Sequence, residues 1–181
     1  EPFASLDAIT REDLQRDLAR LCHAQRVTAL FVTHDISEAV FLEEEASRLE
    51  QWLRHGKHGE MGYMTNHFDL RTDPRQLVPG AKSVISLAYN YYTPGKQTDP
   101  EAPKLSTYAY GRDYHKVIKQ RMKPLMAFIT GAFGEVAMRC FTDSAPVLEK
   151  AWAERSGIGW RGKHSLIIRK GQGSFFFLAE I

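Results

Sequence analysis

The sequence predicts an α+β protein. It should hold a mixed or antiparallel sheet with flanking helices, preceded by a short helix–strand–helix fragment of α/β type. Three observations predict this. Ser83–Tyr89, His164–Arg169 and Ser174–Leu178 are short runs rich in β-branched and aromatic residues, the composition of strands. The last two runs are separated by Lys170-Gly-Gln-Gly173, a hairpin-type turn. Helical patterns fall irregularly between the strands, without an internal repeat or a strict strand–helix alternation.

The elements follow in order. Asp7 is a plausible N-cap for a helix to Ala24, in which Leu14, Leu18 and Leu21 recur at helical spacing. Val27–Thr33 is a short apolar run that reads as a strand buried on both faces. Ile36–Phe41 opens a second helix. Glu43–Leu53 reads as an amphipathic helix with acidic residues in its first turn, where the helix dipole favours them, and Gly56 and Gly59 end it. Turn signals at Asp73-Pro74 and Pro79-Gly80 precede the strand Ser83–Tyr89, and Thr93–Leu105 is a polar loop bearing prolines. Tyr114–Phe133 is a long helix that Pro124 should kink or interrupt. Glu135–Thr142 reads as a strand ending at Asp143-Ser144. Pro146–Ser156 reads as a helix with proline in its first turn.

Composition bounds the function. Of the 181 residues, 43% are hydrophobic and 25% charged, the balance of a globular domain that can bury a core. A net charge of +2 confines any nucleic-acid surface to a local patch. No apolar run is long enough to span a bilayer. No signal peptide is visible and the first residue is not Met, so a processed or partial chain is expected. Cys22 and Cys140 are too far apart in sequence for a local metal or redox motif; they read as buried free thiols in a cytoplasmic monomer.

Three segments could carry chemistry. Asp143 lies between a predicted strand and a predicted helix, where a carboxylate is either a functional acid or a helix cap. Gly157-Ile-Gly-Trp-Arg-Gly-Lys163 offers glycines, an aromatic and two cations, suited to a flat or anionic ligand or to an ordinary loop. Tyr108-Ala-Tyr-Gly-Arg-Asp-Tyr-His115 gathers aromatic and ionisable groups, and its alternative is a half-buried turn.

Two resemblances cover the chain. Glu1-Pro-Phe-Ala-Ser-Leu-Asp7, followed by Phe31-Val-Thr-His-Asp-Ile-Ser-Glu-Ala-Val40, resembles the ATPase subunit of an ABC importer of the nitrate/sulfonate/taurine type, over about residues 1–42. The resemblance implies that Glu1 is the catalytic glutamate, Ser5-Leu6-Asp7 the D-loop and His34 the switch histidine. The chain holds no G-x-x-x-x-G-K-[ST] loop and no signature segment. The expected consequence is an ATP-binding remnant that neither binds ATP tightly nor hydrolyses it.

The second resemblance covers about residues 43–181. His58-Gly-Glu-Met61, Asp69-Leu-Arg-Thr-Asp-Pro-Arg75, Leu77–Ser86, Tyr110-Gly-Arg-Asp-Tyr-His115, Asp143–Ala151, Gly157-Ile-Gly-Trp160 and Gly173–Leu178 occur in the order and spacing of epoxyqueuosine reductases. That family reduces epoxyqueuosine to queuosine in tRNA with cobalamin and two four-iron–four-sulfur clusters. The resemblance implies a cobalamin-binding part with Asp143 as catalytic acid, desolvated against the corrin. It sets Arg71, Ser106, Asp143, Lys163, Ile167, Ser174 and Leu178 around the cofactor. The family's cluster cysteines fall outside the matched segment, so the chain alone should be inactive. Thr107 and His164 depart from a usual basic residue and a usual asparagine, which weakens the expected cofactor contacts. A transporter ATPase fragment and a cobalamin-binding domain without redox activity are the alternatives.

Overall fold

The computed structural model describes residues 8–27, 29–33, 39–95, 97–99 and 101–181. In chain order the main elements are α1 (Ala8–Ala24), β1 (Ala29–Thr33), α2 (Ala39–Arg54), α3 (Phe68–Thr72), β2 (Val84–Asn90), α4 (Tyr114–Phe133), α5 (Glu149–Arg155), β3 (Trp160–Arg161), β4 (Ile167–Ile168) and β5 (Phe176–Glu180). The main sheet has the order β1-β2-β5, both pairings antiparallel, and β3 pairs with β4 in a separate two-stranded ribbon. This is the expected α+β architecture. The N-terminal strand joins an antiparallel sheet and not a parallel α/β one.

The central strand explains the layering. In β2 the side chains alternate with the two-residue period of a strand. Ile85, Leu87 and Tyr89 join Ala179 of β5 and Ile118, Met122 and Leu125 of α4, with Leu18 and Leu21 of α1 packed against them. The opposite face sends Ala88 and Phe176 against Ala153, Ile158 and Ile167, and Val84 against Trp152. Helices α1 and α4 therefore cover one face, and α5 with the β3–β4 ribbon covers the other. Glu45, buried on α2, ties that helix to the ribbon: Arg161 Nη2 lies 3.3 Å from its Oε2 and 3.2 Å from Glu154 Oε2. A buried carboxylate is tolerable when a guanidinium neutralises it in this way.

Several expectations change. Ala39–Arg54 is one helix, crossing the point near residue 42 where the sequence reading expected a boundary. Gly56 and Gly59, with φ of 62° and 55°, end it as expected. Helix α4 runs through Pro124 without interruption. Residues 135–140 are not a strand. Gly134, at φ 82°, turns the chain away, and only Phe141 reaches β5, exchanging backbone bonds of 2.8 and 3.0 Å with Glu180. Helix α5 begins at Glu149, leaving Pro146 in the turns before it. Strands β4 and β5 lie in different sheets; between them a single bridge, Arg169 with Gly173, survives of the expected hairpin. Among the described residues no helix is long and apolar enough to cross a membrane.

Candidate functional site

Asp143 sits where three elements converge. Phe141 and Thr142 run beside β5, with Thr142 Oγ1 donating to the Leu178 carbonyl at 3.0 Å. The chain then turns sharply: Asp143 takes a left-handed φ of 51°, uncommon for a residue with a side chain, and Ser144 N–H returns to the Thr142 carbonyl at 2.6 Å. The N-terminus of α4 faces this turn, started by Asp113, whose side chain accepts from the His115 N–H. The Tyr114 hydroxyl donates a very short hydrogen bond to Asp143 Oδ2. His115 Nε2 stands 4.0 Å from the same oxygen, while its Nδ1 is 3.0 Å from Asp113 Oδ1. Lys119 Nζ donates to Ser144 Oγ at 3.0 Å. Tyr114 is held from behind by Phe177, stacked 4.0 Å away with an angle of 5° between the rings.

Asp143 does not cap α5, whose N-cap position is Leu148. Instead the helix supplies an acceptor to Asp143: its backbone N–H donates to Glu149 Oε1 at 2.6 Å. The Asp143 side chain is 49% exposed. Glu149 is half-buried, and desolvation together with the neighbouring Asp143 carboxylate pushes its pKa up to about 8. Glu180, on the same side of the sheet, is fully buried and held well above the usual carboxyl range by desolvation, with Glu149 and Asp143 adding to it. Burial and the bond to Asp143 likewise raise the Tyr114 phenol, so it remains the donor.

The other cofactor positions implied by the sequence resemblance are less unified. Ile167 is buried in the core cluster against which Leu178 packs, and so supports the ribbon from beneath. The Arg71 guanidinium bonds the Asn66 and Tyr63 carbonyls at 3.2 and 3.4 Å. Ser106 precedes the helical turn Thr107–Ala109, Lys163 is exposed between β3 and β4, and Ser174 lies before β5. Large exposed apolar side chains stand close in sequence to three of these positions: Tyr108 and Tyr110 to Ser106, Trp160 and Leu166 to Lys163, and Phe175 to Ser174. Glu1, Asp7 and His34 lie outside the described residues.

Glu149 and Glu180 were missed by sequence reasoning. Glu180 had a signal, a lone charge between Ala179 and Ile181 in an apolar strand. Glu149 had none, since an acidic residue in the first turn of a helix is ordinary.

Comparison with known proteins agrees with the fold. A family model described as epoxyqueuosine reductase QueG, DUF1730, matches residues 71–144. The chain is 55% identical over 161 residues to an epoxyqueuosine reductase of Cellulophaga algicola, covering 89% of this chain and 52% of that protein. The structure of epoxyqueuosine reductase from Streptococcus thermophilus superposes with a TM-score of 0.78 at 24% identity, over 93% of this chain and 45% of that one. A crystal structure of epoxyqueuosine reductase with an epoxyqueuosine-modified tRNA-Tyr stem loop gives 0.75 at 24% identity, over 93% and 44%. The chain spans about half the length of the curated relatives it matches.

Proposed function

We propose that this chain, similar over its matched part to epoxyqueuosine reductases, is the cobalamin-binding part of such an enzyme, with Asp143 as the proton donor. The observation that carries the reading is the placement of Asp143. Its carboxyl stands half exposed at a strained turn, held by Tyr114 and Glu149. Strain of this kind persists where surrounding contacts over-determine a conformation, as they do at functional turns.

The chain's own groups fit the proposed cofactor. A corrin is a broad apolar ring with an amide rim. Tyr108, Trp160, Leu166 and Phe175 offer exposed apolar surface, while Ser106, Ser174 and Lys163, close to them in sequence, offer hydroxyl and ammonium donors. Arg71 would serve less directly, since its guanidinium is already engaged by two carbonyls. When bound, cobalamin would supply electrons to the epoxide carbon. Asp143 would give a proton to the opening oxygen. Tyr114 would fix the carboxyl through its hydroxyl, and Phe177 would fix Tyr114. The iron–sulfur clusters would be held by the part of the relatives that this chain does not match. The substrate would be a queuosine-type tRNA anticodon stem loop, by analogy with the tRNA-bound relative. A cytoplasmic location follows from that substrate.

For residues 1–42 we propose a structural role. Strand β1 fills an edge of the sheet, and no phosphate loop accompanies the ABC-like segment. In a full-length enzyme carrying this domain, Asp143→Asn should keep cobalamin binding, because the amide matches the acid in shape. Turnover should fall by about two to four orders of magnitude with the general acid lost. A near wild-type rate would withdraw the assignment.

A further inference from the structure

We propose that Lys119 is a positioning residue for the acid: from the second turn of α4 its ammonium holds Ser144 and so keeps the Asp143 turn closed against Tyr114. The inference rests on the assignment of Asp143 as the acid and deepens it. Residues 143–148 belong to no helix or strand. The backbone bonds of this stretch are local, Ser144 N–H to the Thr142 carbonyl and Val147 N–H to the Ala145 carbonyl. A turn of this kind takes its place from side-chain contacts. Asp143 adds a left-handed φ of 51°, a conformation that costs energy and persists only while its surroundings hold it. That strain narrows the gap between a closed and an open turn, so a modest contact can decide the balance.

Helix α4 supplies the contacts in register. Tyr114, in its first turn, donates to Asp143 Oδ2. His115 brings Nε2 to 4.0 Å from the same oxygen. Lys119 stands one turn beyond His115, and residues four apart share a helix face. The Lys119 side chain is half-buried, and its Nζ donates to Ser144 Oγ at 3.0 Å. The neighbouring Lys116 lies 3.9 Å from Asp113 instead, so of these two lysines Lys119 reaches the turn. The helix thus grips two successive residues, the acid and the one after it. Behind the turn, Thr142 Oγ1 donates to the Leu178 carbonyl at 3.0 Å and the Asp143 N–H to Glu149 Oε1 at 2.6 Å. Ser144 is exposed, and an exposed bond to a cation adds little to global stability. Its effect is local, on where the turn sits.

The test is amide hydrogen exchange of the full 181-residue chain, followed residue by residue by NMR without cofactor, so it reads whether or not cobalamin binds. Lys119→Met keeps the aliphatic stem and removes the ammonium; Ser144→Ala removes the acceptor. Each should speed exchange at the Asp143 N–H about two- to fivefold, the range for one exposed charged contact, and leave Ile118 and Met122 on α4 unchanged. The double variant should exchange no faster than either single one, and Lys119→Arg, which still donates, should restore protection. Unchanged exchange at Asp143 in Ser144→Ala, or additive effects in the double variant, would overturn the latch; the Ser144→Ala arm holds even where Lys119→Met loosens α4 itself. In a full-length enzyme carrying this domain, Lys119→Met should lower kcat by a similar factor with KM for the tRNA unchanged, and Lys119→Arg should recover it. A wild-type kcat in Lys119→Met, in an assay where Asp143→Asn is slow, would overturn the positioning role. An Asp143→Asn rate near wild type would instead mean that the acid assignment has failed, and the positioning role with it, whatever the exchange shows.

Discussion

At the scale of single residues, burial of carboxyls governs the site. Glu180 is the extreme case, 2% exposed, with both oxygens lacking hydrogen-bond partners. Its folded-state pKa is raised, so the folded chain holds a proton that the unfolded chain releases. Stability should therefore be greatest below the ordinary carboxyl pKa. It should decline as pH rises from about 4.5 through the raised value, and the same sign applies to Glu149 up to about pH 8. Glu180→Gln should flatten this decline and stabilise the chain at pH 9 by about 1–3 kcal/mol, the cost scale of a buried unpaired polar group. Chemical denaturation at pH 5 and pH 9 measures both arms. A wild-type stability that rises over this interval would contradict the sign. At this scale the sequence was only partly legible. The motif around Asp143 singled it out as a candidate acid, but the sequence could not say that the helix following it would turn Glu149 toward the Asp143 backbone. That depends on α5 starting at Glu149 and not at Pro146.

At the scale of elements, helices and long strands were readable and short strands were not. Helix α4 and strand β2 appear almost where periodicity put them, because each buries a full apolar stripe or two apolar faces. The run 135–140 has strand-like composition, yet a strand exists only where a partner edge is within reach, and β5 offers that edge only at Phe141. Strands β4 and β5 separated because β5, apolar on both faces, pairs with the central strand instead. The β3–β4 ribbon depends on a close approach at Gly159. A Cβ there would stand 2.1 Å from the Ile168 carbonyl oxygen and 2.8 Å from its carbon. Gly159→Ala must push the two backbones apart and should cost about 1–3 kcal/mol or more, the range for overpacking a tight contact. Thermal unfolding reads this directly, and an unchanged midpoint would show that the ribbon tolerates the spread.

At the scale of the whole molecule, the described residues make one three-layer unit whose N-terminal strand and helices pack into the same sheet and cores as the rest. Helix α2 runs without a break across residue 42, where the sequence reading expected one fragment to end and another to begin. The absent phosphate loop predicts that magnesium-dependent ATP hydrolysis will not exceed background; hydrolysis abolished by His34→Ala would contradict that. The central proposal is that this unit binds cobalamin, with Asp143 as the acid of that site. Its most direct test is a titration of the purified chain with cobalamin, followed by the visible absorption of the corrin, with circular dichroism reporting the fold of the same sample. The account predicts a saturable one-to-one spectral change, weak if Thr107 and His164 lack the contacts that the family resemblance implies at those positions, and retained in Asp143→Asn. A folded chain that leaves the cobalamin spectrum unchanged at every concentration would contradict it.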